Sequence, residues 1–165
     1  MKLNTRYSAF TFKAGSIIRA LKTEVDIKSD CKTIKGIAQW DTGASGSCIS
    51  ERVVNELGLI QTGKMLIRTP TGSDTVNSYS VGVMLPNGVF IPSVTVFGSS
   101  IGDQGIDMLI GMDIITMGDF AVSNFEGKTV FSFVIPSLGK IDFLPKVKTI
   151  GGAMKGHMRK RKKKM

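Results

Sequence analysis

The sequence is poor in the side chains that most hydrolases and metalloproteins use. It has 165 residues, with one histidine, His157, and two cysteines, Cys31 and Cys48. His157 lies in a basic terminal run, so residue count excludes a Ser-His or Cys-His catalytic system in the rest of the chain. Two cysteines cannot complete a zinc site of the His/Cys type and do not make a disulfide scaffold at this length. We therefore expect reduced thiols, no metal and no cofactor.

Long apolar runs are missing as well. No segment approaches the ~18 apolar residues of a membrane span, and the first twenty residues contain no apolar leader-like stretch. These absences predict a soluble, cytoplasmic protein without membrane contact.

Acidic residues are missing from the C-terminal run. Residues 155–165 contain seven Lys or Arg and no acid, so a net charge of +2 remains on residues 1–154 out of +9 in total. We expect a domain over residues 1–150 and a basic, disordered tail over residues 151–165. The tail either contacts a polyanion such as nucleic acid through phosphates or is a solvated end; the sequence favours neither.

The remaining pattern is mainly β. Apolar stretches rich in Val, Ile and Phe are interrupted at short intervals by Gly, Pro, Asn and Asp, which is typical of short strands and turns. The predicted strands are residues 7–12, 17–27, 33–40, 64–68, 76–85, 89–97, 108–110, 120–125 and 129–135. This order predicts one small, closed β-barrel-like domain with two short helices.

Both predicted helices have recognisable ends. Ser50 is placed as an N-cap with Glu51 in the first turn, and Gly58 stands where a glycine commonly ends a helix. The second helix is predicted over residues 112–117, before Gly118. An acid in its first turn, Asp113, is favoured by the helix dipole.

The stretch Asp41-Thr42-Gly43-Ala44-Ser45 carries the chemistry. Hydrolysis by an acid pair needs one ionised carboxylate to activate water and one protonated carboxyl to polarise the carbonyl. Gly43 permits a tight turn whose N–H points back at Asp41, and Ser45 can donate to the same carboxylate. Thr42 could link two such turns across a two-fold axis. Asp-Thr-Gly occurs only once, so the second half of the pair is expected from another copy of the chain.

Residues 17–135 resemble the retropepsin-like aspartic proteases, which comprise the retroviral proteases and cellular and bacterial relatives such as the retroviral-like domain of Ddi1. The resemblance rests on the Asp41 turn, on residues 69–76 at the position of the flap, and on residues 107–113 at the position of a strand–Gly–helix unit. It implies a closed retropepsin-like β-barrel, a homodimer with half an active site per subunit, and a peptide or protein substrate. The flap and substrate-binding residues that it implies are Thr69, Thr71, Gly72 and Ser73.

The sequence departs from the family pattern at three positions. Gln39 and Trp40 precede the Asp41 turn where the family usually has aliphatic residues, and Pro70 lies in the flap. These departures leave open an alternative function, a non-catalytic module for dimerisation or peptide binding.

Three other residues could take part either in chemistry or only in structure. Asp113 is either a second acid within the chain or, the favoured interpretation, the first-turn acid of the short helix. Cys48 is expected to be a core residue and not a nucleophile. Asp107 is expected at a turn or strand end.

Overall fold

The protein is described by a computed structural model that covers residues 6–69, 72–145 and 147. These residues form a mainly β fold with ten strands and two α-helices. The strands are β1 (Ser8–Lys13), β2 (Leu21–Lys28), β3 (Thr33–Trp40), β4 (Cys48–Ser50), β5 (Gly63–Thr69), β6 (Gly72–Met84), β7 (Phe90–Ser99), β8 (Met108–Ile110), β9 (Asp119–Ser123) and β10 (Val130–Ile135). The helices are α1 (Glu51–Leu57) and α2 (Met112–Ile115), and two 3-10 turns span Gly102–Gln104 and Phe125–Gly127.

The strands are arranged in two sheets. The larger has the order β2-β3-β8-β4-β7-β6-β5, and β6 also pairs with β2 through Asp26↔Met84, Ile27↔Val83 and Lys28↔Gly82. The smaller has the antiparallel order β1-β10-β9. Parallel pairing of β8 with β3 brings two segments of distant sequence side by side, with Trp40 opposite Ile110.

Apolar side chains alternate along these strands, and one face of each sheet is buried. β-branched residues fill the core of the larger sheet, because they pack well on a pleated surface. Fully buried examples are Ile27, Ile49, Val81, Val83, Val96 and Ile110.

An aromatic layer joins the two sheets. It consists of Phe10, Trp40, Phe120, Phe131 and Phe133, with ring centroids 5.0 Å apart for Trp40–Phe133 and 5.4 Å apart for Trp40–Phe120. Phe131 and Phe133 are fully buried. The layer fixes the three-stranded sheet against the end of β3, where the Asp41 turn begins.

Helix α1 has the predicted caps. The Ser50 hydroxyl accepts a hydrogen bond from the Val53 N–H at 3.4 Å. Gly58 adopts the left-handed conformation with φ 63°, which glycine reaches without steric cost. Val53 and Leu57 are buried against the sheet, so the short helix is held mainly by tertiary packing.

Some predicted boundaries differ from the structure. The strand predicted over residues 17–27 begins only at Leu21, because Ile18 N–H donates to the Thr129 hydroxyl and Ser16 C=O accepts from Thr129 N–H. Residues 98–105, between the strands predicted over residues 89–97 and 108–110, contain the end of β7 and a 3-10 turn. The second helix stops at Ile115 and does not reach residue 117.

No helix in the part of the chain that the structure describes is long and apolar enough to span a bilayer. The predicted basic tail, residues 151–165, lies outside the described residues.

Candidate active site

Asp41 is positioned by its own loop and by the neighbouring strand. Its N–H donates to the Ile110 carbonyl at 2.9 Å, which continues the β3–β8 pairing by one residue. The Gly43 N–H donates to Asp41 Oδ1 at 2.8 Å, as predicted. The Ala44 N–H donates to the Asp41 carbonyl at 3.3 Å and closes the turn. The hydrogen bond from Gly43 fixes the orientation of the Asp41 carboxylate.

Helix α2 starts directly beneath this loop. The Met112 N–H donates to the Ala44 carbonyl at 2.8 Å. A Cβ atom at Gly111 would lie 2.6 Å from the carbonyl carbon of Gly46 and 2.7 Å from its oxygen. Only glycine therefore allows the loop and the helix start to approach so closely.

Ser47 and Asp113 form a second tie between the loop and α2. The Ser47 hydroxyl donates to Asp113 Oδ1 at 2.8 Å and its N–H donates to Oδ2 at 3.0 Å. The same hydroxyl accepts the Gly111 N–H at 3.0 Å. Ser47 is fully buried, and its role is not predicted from the sequence. The only sequence signal for this contact is a serine in the Asp41 loop together with an acid, Asp113, in the first turn of the second predicted helix.

This network decides the role of Asp113. The residue lies in the first turn of α2, which confirms the favoured interpretation. Its carboxylate accepts from Ser47 and from the Ile114 N–H. The Asp113 carboxylate thus holds the Asp41 loop against the start of α2.

Asp107 also has a structural role. It precedes β8, and its Oδ2 accepts the Ile37 N–H at 2.9 Å. Its Oδ1 lies 2.8 Å from Nη2 of Arg52 in an ion pair. The prediction of a strand-end residue is confirmed.

Cys48 is buried beside the loop and packs with Ile101 and Ile106. Burial raises the pKa of its thiol to about 11, because desolvation disfavours the thiolate. A neutral, buried thiol is a poor nucleophile, in agreement with the predicted core position.

Trp40 stands where the family usually has an aliphatic residue, and its large ring is packed within the aromatic layer. Trp40 is 4% exposed and stacks on Phe120 with an interplanar angle of 6°. Its indole N–H donates to the Thr23 hydroxyl at 3.0 Å. Gln39 is half-buried and lies opposite Lys22 on β2 and Leu109 on β8.

Thr42 and Ser45 lie on the exposed side of the turn. Within the described residues, only Gly43 donates a hydrogen bond to the Asp41 carboxylate. The bond predicted from Ser45 is therefore not formed in a single chain, and the Thr42 hydroxyl has no described partner.

The predicted flap is the β5–β6 hairpin. Its last described pair is Thr69↔Gly72, and Gly72 has φ 146°, a conformation that L side chains rarely adopt. Ser73 is exposed. Pro70 and Thr71 lie outside the described residues.

Among the residues that the structure describes, no group of three or more His, Cys, Asp or Glu side chains is placed to hold a metal ion.

Comparison with solved structures identifies the architecture. A retropepsin-like aspartic protease from Rickettsia conorii matches with a TM-score of 0.53 and 14% identity, over 81% of this chain and 98% of that one. The chain has a retropepsin-like fold. The mainly β prediction is confirmed by the strands of the structure, and the resemblance to the retropepsin-like proteases is confirmed at the level of the fold.

Two further matches are weaker. The simian foamy virus protease has a TM-score of 0.42 and 22% identity, over 58% of this chain and 91% of that one. The retroviral protease-like domain of Ddi1 from Leishmania major has a TM-score of 0.36 and 18% identity, over 62% of this chain and 82% of that one. No protein-family model matches the sequence, and no curated protein matches it.

Proposed function

We propose that this protein is an aspartic endopeptidase that acts as a homodimer. The paired Asp41 carboxyl groups of two subunits activate a water molecule, which attacks the peptide carbonyl. The observation that carries the proposal is the Asp41 carboxylate, oriented by the Gly43 N–H at 2.8 Å on a loop that rests on α2. The retropepsin-like fold supports the same function.

The two acids of the strand–Gly–helix unit, Asp107 and Asp113, both have structural roles, which supports an active site shared between two chains. Asp107 is engaged by Arg52 and the Ile37 N–H, and Asp113 is engaged by Ser47. Both carboxylates thus have structural partners, whereas the Asp41 carboxylate accepts only the Gly43 N–H among the described residues. The second carboxyl group of the acid pair is therefore assigned to a second copy of Asp41.

The chemistry of such a pair follows from like-charge repulsion. Two carboxylates a few ångströms apart cannot both ionise cheaply, so they share one proton and titrate as a unit. The ionised group takes a proton from the attacking water, and the protonated group donates to the carbonyl oxygen of the peptide.

The rest of the turn supports the pair. Gly43 orients the carboxylate, and Ala44 holds the loop to α2 through its carbonyl. We assign Thr42 to the contact between two turns across the two-fold axis and Ser45 to a polar contact that forms in the dimer. Both side chains lie on the exposed side, where a partner can reach them.

The β5–β6 hairpin is assigned as the flap that closes over an extended peptide, with Thr69, Thr71, Gly72 and Ser73 at its tip. An extended peptide is recognised mainly through backbone hydrogen bonds. The exposed strands of the hairpin, with Leu66 61% accessible, suit this role.

The remaining parts of the proposal concern the whole chain. We infer a closed barrel, which the β2–β6 pairing supports, within a proposed protease domain of residues 1–150. The tail, residues 151–165, is proposed either to contact a polyanion through its lysines and arginines or to be a solvated end, and the protein is proposed to act in the cytoplasm.

Peptide cleavage measured against pH tests the activity. We expect a bell-shaped profile of kcat/KM for the wild type, because one carboxyl must be ionised and the other protonated. Asp41→Asn removes the activity, whereas Asp103→Asn, an exposed acid in the 3-10 turn, keeps it. Cleavage that survives Asp41→Asn contradicts the proposal. A wild type that binds peptides without cutting them supports the non-catalytic alternative.

A further inference from the structure

We propose that the segment after β10, together with the basic residues that follow it, holds the protein on the surface of an anionic phospholipid membrane. The contact is peripheral: apolar side chains enter the boundary between head groups and acyl chains, and lysines and arginines meet lipid phosphates. The inference goes beyond the proposed peptidase activity, and it rests on one of the two alternatives for the tail, contact with a polyanion. A protein can lie on a bilayer without spanning it, so the inference departs from the expectation of no membrane contact, which considered only spans.

The segment after β10 exposes five large apolar side chains within ten consecutive positions. Each is between 52% and 66% exposed, and they are Leu138, Ile141, Phe143, Leu144 and Val147. Single exposed apolar residues are ordinary on a protein surface. Such a concentration of them in one segment is typical of an interaction site.

Hydrogen bonds fix the point at which this segment leaves the fold. The Asp119 carboxylate, at the start of β9, accepts the Ser137 hydroxyl at 2.6 Å and the Leu138 N–H at 2.6 Å. The first exposed apolar residue is therefore tied to the three-stranded sheet, and the segment starts from a defined position on the folded domain.

A helical turn groups the later apolar side chains. The Asp142 carboxylate accepts the Leu144 N–H at 2.9 Å, and the Val147 N–H donates to the Phe143 carbonyl at 3.1 Å. Residues four positions apart in such a turn lie on the same face. Phe143 and Val147 thus share one exposed face, with Leu144 beside them, which is the arrangement by which a short amphipathic element enters a membrane interface.

The positive charge of the protein is concentrated in the same region. Residues 140–165 contain ten Lys or Arg and one acid, Asp142, whereas residues 1–139 contain twelve basic and twelve acidic residues. The whole net charge of +9 therefore lies within and after the exposed apolar segment. Stable attachment to a membrane takes two signals, and a buried apolar group next to a polybasic stretch supplies both.

This combination favours a lipid surface over nucleic acid or a second copy of the segment. Nucleic acid is bound through its phosphates and, in single strands, through stacked bases, and neither contact uses a row of aliphatic side chains. A second copy packed on the same segment would bring two basic stretches together, and like charges repel. An anionic bilayer takes up the apolar side chains and neutralises the charge.

Sedimentation of the full chain with lipid vesicles tests the apolar part of the contact. We expect the wild type to pellet with vesicles of phosphatidylserine and phosphatidylcholine in equal parts, but not with phosphatidylcholine alone. Phe143→Ser with Leu144→Ser should lower the partition coefficient at least about tenfold, without unfolding the protein, because both side chains are exposed. The matched control is Phe125→Ser with Ile60→Ser, a pair that is more exposed and lies elsewhere in the chain, and it should pellet as the wild type does.

Charge reversal tests the basic part of the contact. Lys162→Glu with Lys163→Glu should lower the partition into the same anionic vesicles at least about threefold. Lys13→Glu with Lys64→Glu makes the same change in net charge on exposed positions of the folded domain, and its partition should stay within about twofold of the wild type.

A tryptophan at position 143 reports insertion directly. The single native tryptophan, Trp40, is buried, so a new exposed indole can be distinguished from it. On addition of anionic vesicles, the emission of Phe143→Trp should shift to shorter wavelength and be quenched by brominated phosphatidylcholine. Phe125→Trp should show neither change.

Three results overturn the inference: no pelleting of the wild type with anionic vesicles, unchanged pelleting of the Phe143 and Leu144 double variant, or no response of Phe143→Trp. Charge-dependent binding without insertion, or binding to polyuridylate RNA without binding to vesicles, also overturns it and leaves the polyanion contact of the tail standing. A wild type that ignores vesicles but loses its dimer in the double variant assigns the segment to a second copy.

The outcomes separate this inference from the proposed peptidase activity. Asp41→Asn should pellet with anionic vesicles as the wild type does, and the Phe143 and Leu144 double variant should cleave a soluble peptide at the wild-type rate. Either claim can therefore fail while the other stands.

Discussion

The Ser47 hydroxyl donates a 2.8 Å hydrogen bond to the carboxylate of Asp113. The two residues are separated by 66 positions in the sequence, and their contact ties the candidate catalytic loop to the start of α2. Since Ser47 also donates its N–H to Asp113 and accepts the Gly111 N–H, one buried residue connects the loop to the start of α2 through three hydrogen bonds.

Removal of this hydroxyl should destabilise the protein. Ser47→Ala leaves the buried Gly111 N–H without its acceptor and removes one of the two hydrogen bonds to Asp113 Oδ1, which costs about 1–3 kcal/mol. Urea denaturation should show this loss in the free energy of unfolding. Ser45→Ala, two residues away and exposed, is the control and should change stability by less than about 0.5 kcal/mol. Equal effects at the two positions would contradict the assigned network.

Gly111 should not tolerate a side chain. Gly111→Ala places a Cβ 2.6 Å from the Gly46 carbonyl carbon, so the loop or α2 must shift, at a cost of about 1–3 kcal/mol. If the loop carries catalysis, kcat falls as well. Gly46→Ala is the control on the other side of the same contact. A Cβ atom at Gly46 would meet only a Phe97 ring carbon at 3.7 Å, so the stability of this variant should remain near that of the wild type. A stable, fully active Gly111→Ala variant would refute this prediction.

The hydrogen bond from Trp40 to Thr23 can be measured by a double-mutant cycle. Thr23→Val leaves the buried indole N–H unpaired and should cost about 1–3 kcal/mol. Trp40→Phe removes the donor and keeps an aromatic ring against Phe120. Because the two residues interact directly, the double variant should be more stable than the sum of the single changes predicts, by about 1 kcal/mol. Additive effects would mean that the bond contributes nothing.

The Cys48 thiol should make stability depend on pH in the alkaline range. Burial raises its pKa from 9.0 to about 11 in the folded chain, so the unfolded chain loses the thiol proton first. Between about pH 9 and 11 the unfolded state therefore binds fewer protons, and the free energy of unfolding falls with rising pH, by up to about 2 kcal/mol. Cys48→Val removes this contribution and should show a shallower decline in denaturation curves.

Thiol labelling gives an independent check of Cys48. In the native protein, the exposed Cys31 should react promptly with a thiol reagent, and Cys48 should react only after unfolding. A Cys31→Ser variant that labels rapidly without denaturant would contradict the buried, neutral thiol.

Several elements could be predicted because their signals are local. Ser50 and Gly58 mark both ends of α1 by capping preferences that depend on a few neighbouring residues. The turn at Asp41 was predictable with its Gly43 hydrogen bond, since both partners lie within three residues. The start of β2 was misplaced because Thr129, far along the chain, holds Ser16 and Ile18.

The sequence by itself determined the mainly β character, the short helices and the single Asp41 turn, because alternation, caps and turn residues act over a few positions. Only the tertiary structure decided which acid has which role. Asp113 and Asp107 are engaged by Ser47 and Arg52, contacts that exist only when β3, β4 and β8 lie side by side. The tertiary structure also placed β9 at the end of the strand order β1-β10-β9, since strand order depends on long-range pairing that local patterns do not encode.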